Sequence, residues 1–334
     1  MQLEYSFIIP VFNRPEEIRE LLESMLKLDY AGIYEIVLVE DGSSVSSKEI
    51  AQEYSENLNI SYFFKENSGP GDSRNFGMQR AKGNYFLILD SDVILPSNYL
   101  FEVDLFLSKN QNCDCFGGPD AAHASFTELQ KAIDYSMTSL FTTGGIRGGK
   151  KAVDKFQPRS FNMGLSKKAF EATGGFGKIH PGEDPDLSLR LEKQGFKTCL
   201  VPNAKVYHKR RINWSKFYNQ VKKFGFVRPI LNSWHPTSAK VTYWFPSLFM
   251  IGLFLAVVMA LAGKLFFISI YFLYLLVIGI DAALKNNNIK IGILAIFGTL
   301  VQFMGYGYGF LISTIKINVL KKEPQEAFPF LFFK

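Results

Sequence analysis

The sequence predicts an α/β protein with a mostly parallel, doubly wound sheet, followed by apolar helices that lie in a membrane. Short apolar runs alternate with helical periodicity as far as Leu89, and this alternation is typical of parallel sheets. Unusual polar residues follow three of the four runs, at the strand ends where such sheets bind ligands. The stretch from Tyr243 to about Thr314 carries few charges, whereas charges occur throughout the sequence before it.

The apolar runs predict buried strands at residues 5–11, 35–39, 60–64 and 85–89. Helices are predicted between them at 15–28, 48–57 and 73–82, and further on at 126–141 and 185–194, before short strands at 198–201 and 205–208. Pro15 suits the first turn of the first helix. One face of that helix is apolar, with Ile18, Leu21, Leu22 and Met25.

Three apolar segments, at residues 245–262, 265–284 and 291–315, approach or exceed the ~20 residues that cross a bilayer. If all three cross, the basic residues after them end outside, against the positive-inside tendency. The alternatives are a re-entrant third segment or a hairpin of half-spans. The stretch 205–240 is basic and aromatic without an acidic residue, which predicts a helix on an anionic membrane surface. Because apolar segments adjoin it, nucleic-acid binding is not expected.

Four segments are predicted: an α/β domain at 1–210, a basic amphipathic interfacial segment at 211–242, a membrane region of two to three helices at 243–316, and a C-terminal tail at 317–334. The start of the sequence lacks the basic and apolar runs of a signal peptide. We therefore expect a multi-pass protein of the cytoplasmic membrane, with the α/β domain in the cytosol. Three cysteines without a Cys-x-x-Cys pair predict neither a disulfide framework nor a zinc site.

Asp90 and Asp92 flank a serine directly after the apolar run YFLIL. Carboxylates are hard oxygen ligands, so this pair predicts a site for Mg²⁺ or Mn²⁺ that also binds a diphosphate. The plain alternative is a solvated turn. His208 ends the run KVYH and is a candidate third ligand, although a lone histidine in a basic stretch is otherwise a surface residue.

Asp41 follows the second apolar run and precedes a glycine. A carboxylate in this place accepts hydrogen bonds from a ribose or nucleobase in other nucleotide folds, whereas Asp-Gly is also a common turn. Three residues at the end of the first run are predicted to shape the base pocket: Pro10, Phe12 and Asn13.

Arg74 and Asn75 follow a Gly-Pro-Gly loop at the start of a predicted helix. The arginine is a candidate partner for the donor diphosphate, or for Asp41 or Asp90 in an ion pair. Glu183 and Asp184 lie at another predicted helix start. The plain interpretation is helix capping, and the functional one is a general base, with Asp184 preferred over Glu183.

Taken in order, the motifs IIPVFNRPEEI, VEDGSS, GPGDSRNFG, LDSDV, GGF and GEDPDLSLRL resemble the inverting family 2 glycosyltransferases, which have the GT-A fold. The resemblance extends roughly from Leu3 to His208. It implies a nucleotide-sugar donor, often UDP-linked, a metal at Asp92 assisted by Asp90, Asp41 near the base, and Asp184 as catalytic base. Glu40 and Asp72 depart from the usual residues of the family.

The Gln-x-x-Arg-Trp motif of processive synthases is missing, and Gln220 is its nearest match. Together with the short membrane region, this favours transfer of one sugar to a membrane lipid or lipid-linked glycan, in polysaccharide or glycolipid biosynthesis. The acceptor is expected between the glycine-rich loop 144–149 and the helix of Asp184.

Three alternatives remain open. The first is a polyprenyl-phosphate sugar synthase, whose anionic acceptor needs no base. The second is a non-catalytic membrane scaffold, against which the intact acids Asp90, Asp92 and Asp184 argue. The third is a metal-dependent nucleotide hydrolase, which would consume donor without an acceptor.

Overall fold

A computed structural model describes residues 3–121, 126–144, 157–208 and 213–333. The chain divides into two compact units. The first consists of Met1–His123, Lys155–Lys209 and Phe332–Lys334, and the second of Ala124–Asp154 and Arg210–Leu331. The boundaries of the four segments expected from the sequence stay a prediction.

The strands are β1 (Tyr5–Val11), β2 (Tyr34–Asp41), β3 (Ile60–Lys65), β4 (Tyr85–Leu89), β5 (Val93–Ile94), β6 (Cys115–Gly117), β7 (Asp120–Ala121), β8 (Asn162–Ser166), β9 (Thr198–Leu200) and β10 (Val206–His208). The α-helices are α1 (Pro15–Met25), α2 (Lys48–Tyr54), α3 (Pro70–Arg80), α4 (Tyr99–Lys109), α5 (Glu128–Thr138), α6 (Leu140–Thr143), α7 (Lys167–Thr173), α8 (Glu183–Lys193), α9 (Trp214–Trp234), α10 (Phe245–Leu261), α11 (Phe266–Asn286), α12 (Ile289–Ser313) and α13 (Pro324–Ala327). Short 3₁₀ turns lie at Pro236–Ser238, Val241–Trp244 and Pro329–Leu331, and a π-helical segment at Thr314–Val319.

Within the described residues, seven strands of the first unit form one sheet in the order β3-β2-β1-β4-β8-β6-β9. Strands β1 to β4 are parallel, and β8 runs antiparallel to both of its neighbours. A small sheet in the order β5-β10-β7 accompanies it. The predicted mostly parallel α/β architecture is therefore confirmed. The carboxyl ends of β1, β2 and β4 share one edge, as the ligand-binding prediction requires.

Both faces of the sheet are covered by helices. Successive side chains of a strand point to opposite faces, so neighbouring residues of one strand enter different core clusters. Phe7 and Ile9 of β1 join a core cluster with α1 and α4, whereas Ile8 joins another with α3, α7 and α8. This explains why β1, β2 and β4 have continuous apolar runs and no alternation. The sequence pattern did not predict α4, α7 or the antiparallel β8.

Two helices that carry candidate site residues begin earlier than expected. Helix α3 starts at Pro70, because Gly69 takes a φ of +94° and Pro70 then occupies the first turn. Helix α8 starts at Glu183 after Gly182, which takes a φ of +124°. Glu183 and Asp184 therefore belong to the first turn of α8.

Cys113 and Cys199 form a disulfide in the first unit, contrary to the expectation of none. They are 86 residues apart in sequence, so their spacing carried no signal. Parallel pairing of β6 with β9 aligns Phe116 with Cys199 and brings the two cysteine Cα atoms to 6.1 Å. That separation lies within the range that a disulfide bridges.

The second unit contains three helices that are long and apolar enough to cross a membrane: Val241–Leu261, Phe266–Asn286 and Ile289–Val319. They confirm the three apolar segments of the sequence analysis. The third is the longest at 31 residues and includes the π-helical segment.

Glycines let α9 and α12 approach closely. A Cβ atom placed on Gly309 would lie 2.3 Å from the carbonyl oxygen of Lys222, and one on Gly225 would lie 2.3 Å from that of Tyr306. Gly305 likewise packs on Val221 and Tyr218. Small residues spaced four apart are the usual means of close helix packing in membranes. The glycines of the third apolar segment therefore form its contact with α9.

We expect Gly309→Val to destabilise the second unit, because the added side chain collides with the α9 backbone. Overpacking of this kind typically costs about 1–3 kcal/mol. Thermal unfolding of the detergent-solubilised protein measures the effect. Ile293→Val, at an exposed position of the same helix, is the control and should melt as the wild type does. Equal melting temperatures for both variants would contradict the packing described.

Candidate functional site

Arg74 is the centre of a buried charge cluster at the carboxyl edge of the main sheet. Its Nη2 lies 2.8 Å from Oδ1 of Asp90 and its Nη1 lies 3.2 Å from Oε1 of Glu183. The residue is 3% exposed, and its guanidinium carbon lies 5.2 Å from the ring centre of Phe176. Arg74 of α3 thereby joins the end of β4 to the first turn of α8. Of the partners predicted for it, the structure pairs it with Asp90 and not with Asp41.

Asp90 and Asp92 follow β4 and remain partly accessible, with 33% and 17% of their side chains exposed. Asp92 Oδ2 accepts a hydrogen bond from Arg14 Nη1 at 3.0 Å. Strand β10 pairs His208 with Val93, the residue after Asp92, so the backbone brings the three predicted ligands to one place. The side chain of His208 lies outside the description.

The two carboxylates fit a hard divalent cation in ligand type, since they lie at a strand end and retain access to solvent. In the described part of the chain, no three His, Cys, Asp or Glu side chains are arranged to hold a metal ion. The two aspartates are held by Arg74 and Arg14. A third ligand beside Asp90 and Asp92 would have to come from the imidazole of His208.

Glu183 is fixed from two sides. Its Oε1 accepts from Arg74 and lies 2.8 Å from Nδ1 of His180. Burial raises the pKa of Glu183, but the charges of His180 and Arg74 outweigh burial and lower the pKa to about 2. Glu183 is therefore an ionised anchor at neutral pH.

Asp184 has the opposite electrostatic environment. Burial and the neighbouring charge of Glu183 raise its pKa, and they outweigh the charges of Arg74 and Arg159 and a hydrogen bond with Ser160. Its Oδ1 is buried and makes no hydrogen bond within the described residues. Because a raised pKa and an unpaired oxygen suit a proton acceptor, the preference for Asp184 over Glu183 has a physical basis.

Asp41 is 4% exposed, and both of its carboxylate oxygens are engaged. Oδ1 accepts from Lys65 Nζ at 2.6 Å and from the Ser68 amide at 3.0 Å, and Oδ2 accepts from the Gly69 amide at 3.0 Å. The side chain thus holds the loop between β3 and α3. Its contact with a nucleotide stays a prediction.

Asn13 and Asn75 also make contacts with the backbone. Asn13, at a φ of +55°, accepts through Oδ1 from the amides of Ser44 and Val45, and so ties the end of β1 to the loop after β2. Asn75 donates to the carbonyl of Phe176 at 2.9 Å and accepts from its amide at 2.8 Å. The side-chain amides of Asn13 and Asn75 thus hold the backbone of loops that border the site.

Two further residues were predicted to shape a base pocket. Phe12 is 49% exposed beyond the end of β1, and Pro10 is partly buried within that strand. The exposed ring has the position expected of a stacking surface. The glycine-rich loop predicted to border the acceptor is described only as far as Gly144.

Three residues of the site were missed from the sequence. Arg14 binds Asp92, and His180 binds Glu183. Phe333 packs on Gly69, donates its amide to the Lys178 carbonyl at 3.2 Å, and lies 5.9 Å from the His180 ring centre. Arg14 lies inside a quoted motif and His180 lies two residues before another, so both could have been found there. Phe333 is so distant in sequence that no local signal pointed to it.

A family model described as Glycosyl transferase family 2 matches residues 6–173, half of the chain. An uncharacterized glycosyltransferase of Rickettsia typhi is 38% identical over 109 residues, which are 33% of each chain. Glycosyltransferase GlyA of Streptococcus pneumoniae is 39% identical over 94 residues, 28% of this chain and 13% of that protein. The chain therefore matches a third or less of the length of these curated relatives.

Two proteins with named substrates are also similar. Poly(ribitol-phosphate) beta-N-acetylglucosaminyltransferase TarS of Staphylococcus aureus is 30% identical over 113 residues, 33% of this chain and 20% of that protein. Among solved structures, a mannosyltransferase of Pyrobaculum calidifontis, in complex with GDP-Man and Mn²⁺, aligns with a TM-score of 0.56. It is 16% identical, and the alignment covers 97% of this chain and 89% of that one. This likeness shows the fold.

We expect Arg74→Met to lower the free energy of unfolding by about 3–5 kcal/mol, because it removes the buried guanidinium that pairs with both Glu183 and Asp90. Adding Glu183→Gln to Arg74→Met should recover part of the loss, since the uncompensated charge is removed. Chemical denaturation of the single and double variants measures both terms. Arg80→Met, at the end of the same helix, is the control. A double variant no more stable than Arg74→Met would contradict the charge balance.

Proposed function

Because the chain belongs to glycosyl transferase family 2, we propose that it transfers a single sugar, with inversion, from a nucleotide-sugar donor to a membrane lipid or lipid-linked glycan. The observation that carries the proposal is the cluster around Arg74. It joins Asp90 of the predicted metal site to the first turn of α8, where Asp184 has the raised pKa of a base. The buried Oδ1 of Asp184 makes no hydrogen bond within the described residues, so it is open to a further partner.

The donor is a sugar linked to a nucleoside diphosphate. The edge formed by β1, β2 and β4 is where parallel sheets bind nucleotides, and the exposed Phe12 offers a stacking surface there. The similar mannosyltransferase was solved with GDP-Man, and TarS is named for transfer of N-acetylglucosamine. A UDP-sugar is the first donor to test, followed by GDP- and dTDP-sugars.

Asp90, Asp92 and His208 would hold Mn²⁺ or Mg²⁺. When bound, the cation would neutralise the charge of the nucleotide diphosphate that leaves. Arg14 and Arg74 keep the two aspartates oriented through ion pairs at 3.0 and 2.8 Å. The similar mannosyltransferase in complex with Mn²⁺ supports this assignment.

Asp184 would act as the general base. It would accept the proton of the acceptor hydroxyl as that oxygen attacks the anomeric carbon, on the face opposite the departing diphosphate. Glu183, ionised and held by Arg74 and His180, keeps the pKa of Asp184 high by its charge. A base with a raised pKa retains the proton more firmly once it has accepted it.

A membrane location accounts for the acceptor class. The second unit has three helices suited to cross a bilayer, and α9 carries Lys216, Lys222 and Lys223 without an acidic residue. We place the protein in the cytoplasmic membrane as a multi-pass protein, with the first unit cytosolic and α9 at the anionic surface.

Donor turnover in detergent with Mn²⁺, across UDP-, GDP- and dTDP-sugars and with membrane lipid extract as acceptor, tests the proposal. We expect Asp184→Asn to lower kcat by about 10²–10⁴, the usual contribution of a general base. Asp92→Asn should weaken Mn²⁺-dependent donor binding, whereas Asp29→Asn, at an exposed position, should behave as the wild type. Full activity of Asp92→Asn would overturn the metal site. Donor consumption without transfer would indicate a hydrolase.

The pH profile of kcat/KM provides a second test. Asp184 must be ionised to accept a proton, and its pKa is raised. As the pH is lowered, kcat/KM should therefore be lost at a pH above ~4, the ordinary pKa of an aspartate. Glu183→Gln removes a negative charge beside Asp184, which lowers the pKa and moves this acid limb to lower pH. Glu171→Gln, on the exposed surface of α7, should leave the limb in place. An unmoved limb in Glu183→Gln would exclude Asp184 as the titrating base.

A further inference from the structure

We propose that a cleft in the second unit binds the anionic phosphate headgroup of a membrane lipid; this rests on the membrane attachment in the proposed function. The cleft has a volume of about 400 Å³. It is bordered by the end of α9, the turns that follow it, and the far end of α12. Its lining residues are Pro229, Asn232, Ser233, Pro236, Ala239, Lys240, Val241, Trp244, Phe310, Thr314 and Asn318.

The cleft combines apolar rings with hydrogen-bonding groups. Trp244 and Phe310 pack edge to face, with ring centres 5.0 Å apart. Thr314 and Asn318 offer donors, and Lys240 is the one ionisable side chain among the described residues that line it. Donors and a cation favour an anion, and adjoining rings favour an amphiphile.

Two buried polar atoms at the cleft have no partner within the described residues: the side-chain oxygens of Asn232 and Thr314. A buried polar group without a hydrogen bond costs roughly 1–3 kcal/mol. Such a cost is offset when a ligand supplies the missing bond. A threonine hydroxyl donates to phosphate oxygens, and the asparagine amide binds headgroup hydroxyls.

The backbone changes its form at the same place. Helix α12 continues as a π-helical segment from Thr314 to Val319, and this segment carries two lining residues, Thr314 and Asn318. π-Helical turns are rare and are frequent at functional sites. The π-helical segment therefore forms the wall of the cleft on the α12 side.

The position of the cleft favours a lipid over a soluble anion. Val241 and Trp244 begin one candidate span, and Thr314 and Asn318 belong to the last turns of another. The cleft thus lies at span ends, where tryptophan is enriched and lipid headgroups are found. Lysine at this level attracts anionic headgroups.

The experiment is a lipid titration of the full chain in neutral detergent, read by native mass spectrometry. The probes are phosphatidylglycerol, a polyprenyl phosphate, zwitterionic phosphatidylcholine and inorganic phosphate. We expect one or both anionic lipids to bind more tightly than phosphatidylcholine. Lys240→Gln should weaken that binding about tenfold, as loss of a charge-assisted hydrogen bond does. Thr314→Val, which keeps the side-chain shape, should weaken it several-fold.

Matched controls remove the same groups elsewhere in the second unit. Lys290→Gln takes a charge from the exposed start of α12, at the end away from the cleft, and Thr237→Val takes a hydroxyl from an exposed turn outside the cleft. Both should bind lipid as the wild type does. Melting temperatures of all four variants confirm that they are folded.

Each outcome has a defined meaning. Cleft-dependent binding of polyprenyl phosphate alone identifies the acceptor lipid as the source, and binding of phosphatidylglycerol identifies the bulk membrane. Equal binding of phosphatidylcholine, competition by inorganic phosphate alone, or an equal loss in Lys290→Gln would overturn the proposal. Donor turnover by the same preparations separates this failure from failure of the transferase assignment, and partition of the wild type into vesicles separates it from failure of membrane attachment.

Discussion

The ion pairs of Arg74 are the constraint on which the geometry of the site depends. A buried guanidinium is tolerated only when its charge is balanced, and here two carboxylates from distant parts of the chain balance it. Asp90 reaches it from the end of a central strand. Glu183 reaches it from the start of a helix, 109 residues after Arg74. Any arrangement that separates α3, β4 and α8 would leave a charge buried and unpaired. The cluster therefore holds the predicted metal ligands and the predicted base in fixed register.

The same cluster shifts the pKa values of two adjacent acids, Glu183 and Asp184, in opposite directions. Glu183 is satisfied by Arg74 and His180, and its pKa falls to about 2 in spite of its burial. Asp184 lies next to that charge with one oxygen unpaired, and its pKa rises. Two neighbouring carboxyls with opposite shifts are the pattern expected when one is an anchor and the other exchanges a proton.

The second unit is organised by a different force. Helix α12 packs on the lysine-bearing helix α9 through small residues, which permit close contact between two helices. Gly225 and Gly309 allow α9 and α12 to approach at backbone distance. Near the far end of α12 the regular helix becomes π-helical, and the cleft with its unpaired polar atoms lies there. Tight packing along the helix pair thus gives way to a site open to an amphiphile.

Much of the architecture could be predicted from the sequence, because local hydrophobic patterns indicate which segments are buried. The continuous apolar runs of β1, β2 and β4 predicted a sheet covered on both faces, and the charge-poor stretch predicted the long apolar helices. The candidate residues at strand ends were found because Asp90, Asp92 and Asp41 interrupt such runs abruptly. Their general location followed from the rule that parallel strands place their carboxyl ends together.

The sequence by itself determined the fold class and the apolar helices and supplied the candidate site residues, since each depends on composition and spacing along a short stretch. Only the tertiary structure decided which charges meet. It paired Arg74 with Asp90 and Glu183 in place of Asp41, turned Asp41 toward Lys65 and the backbone of its loop, and joined Cys113 to Cys199. These contacts link segments far apart in the chain, and their strength depends on distance and burial, which no local pattern records.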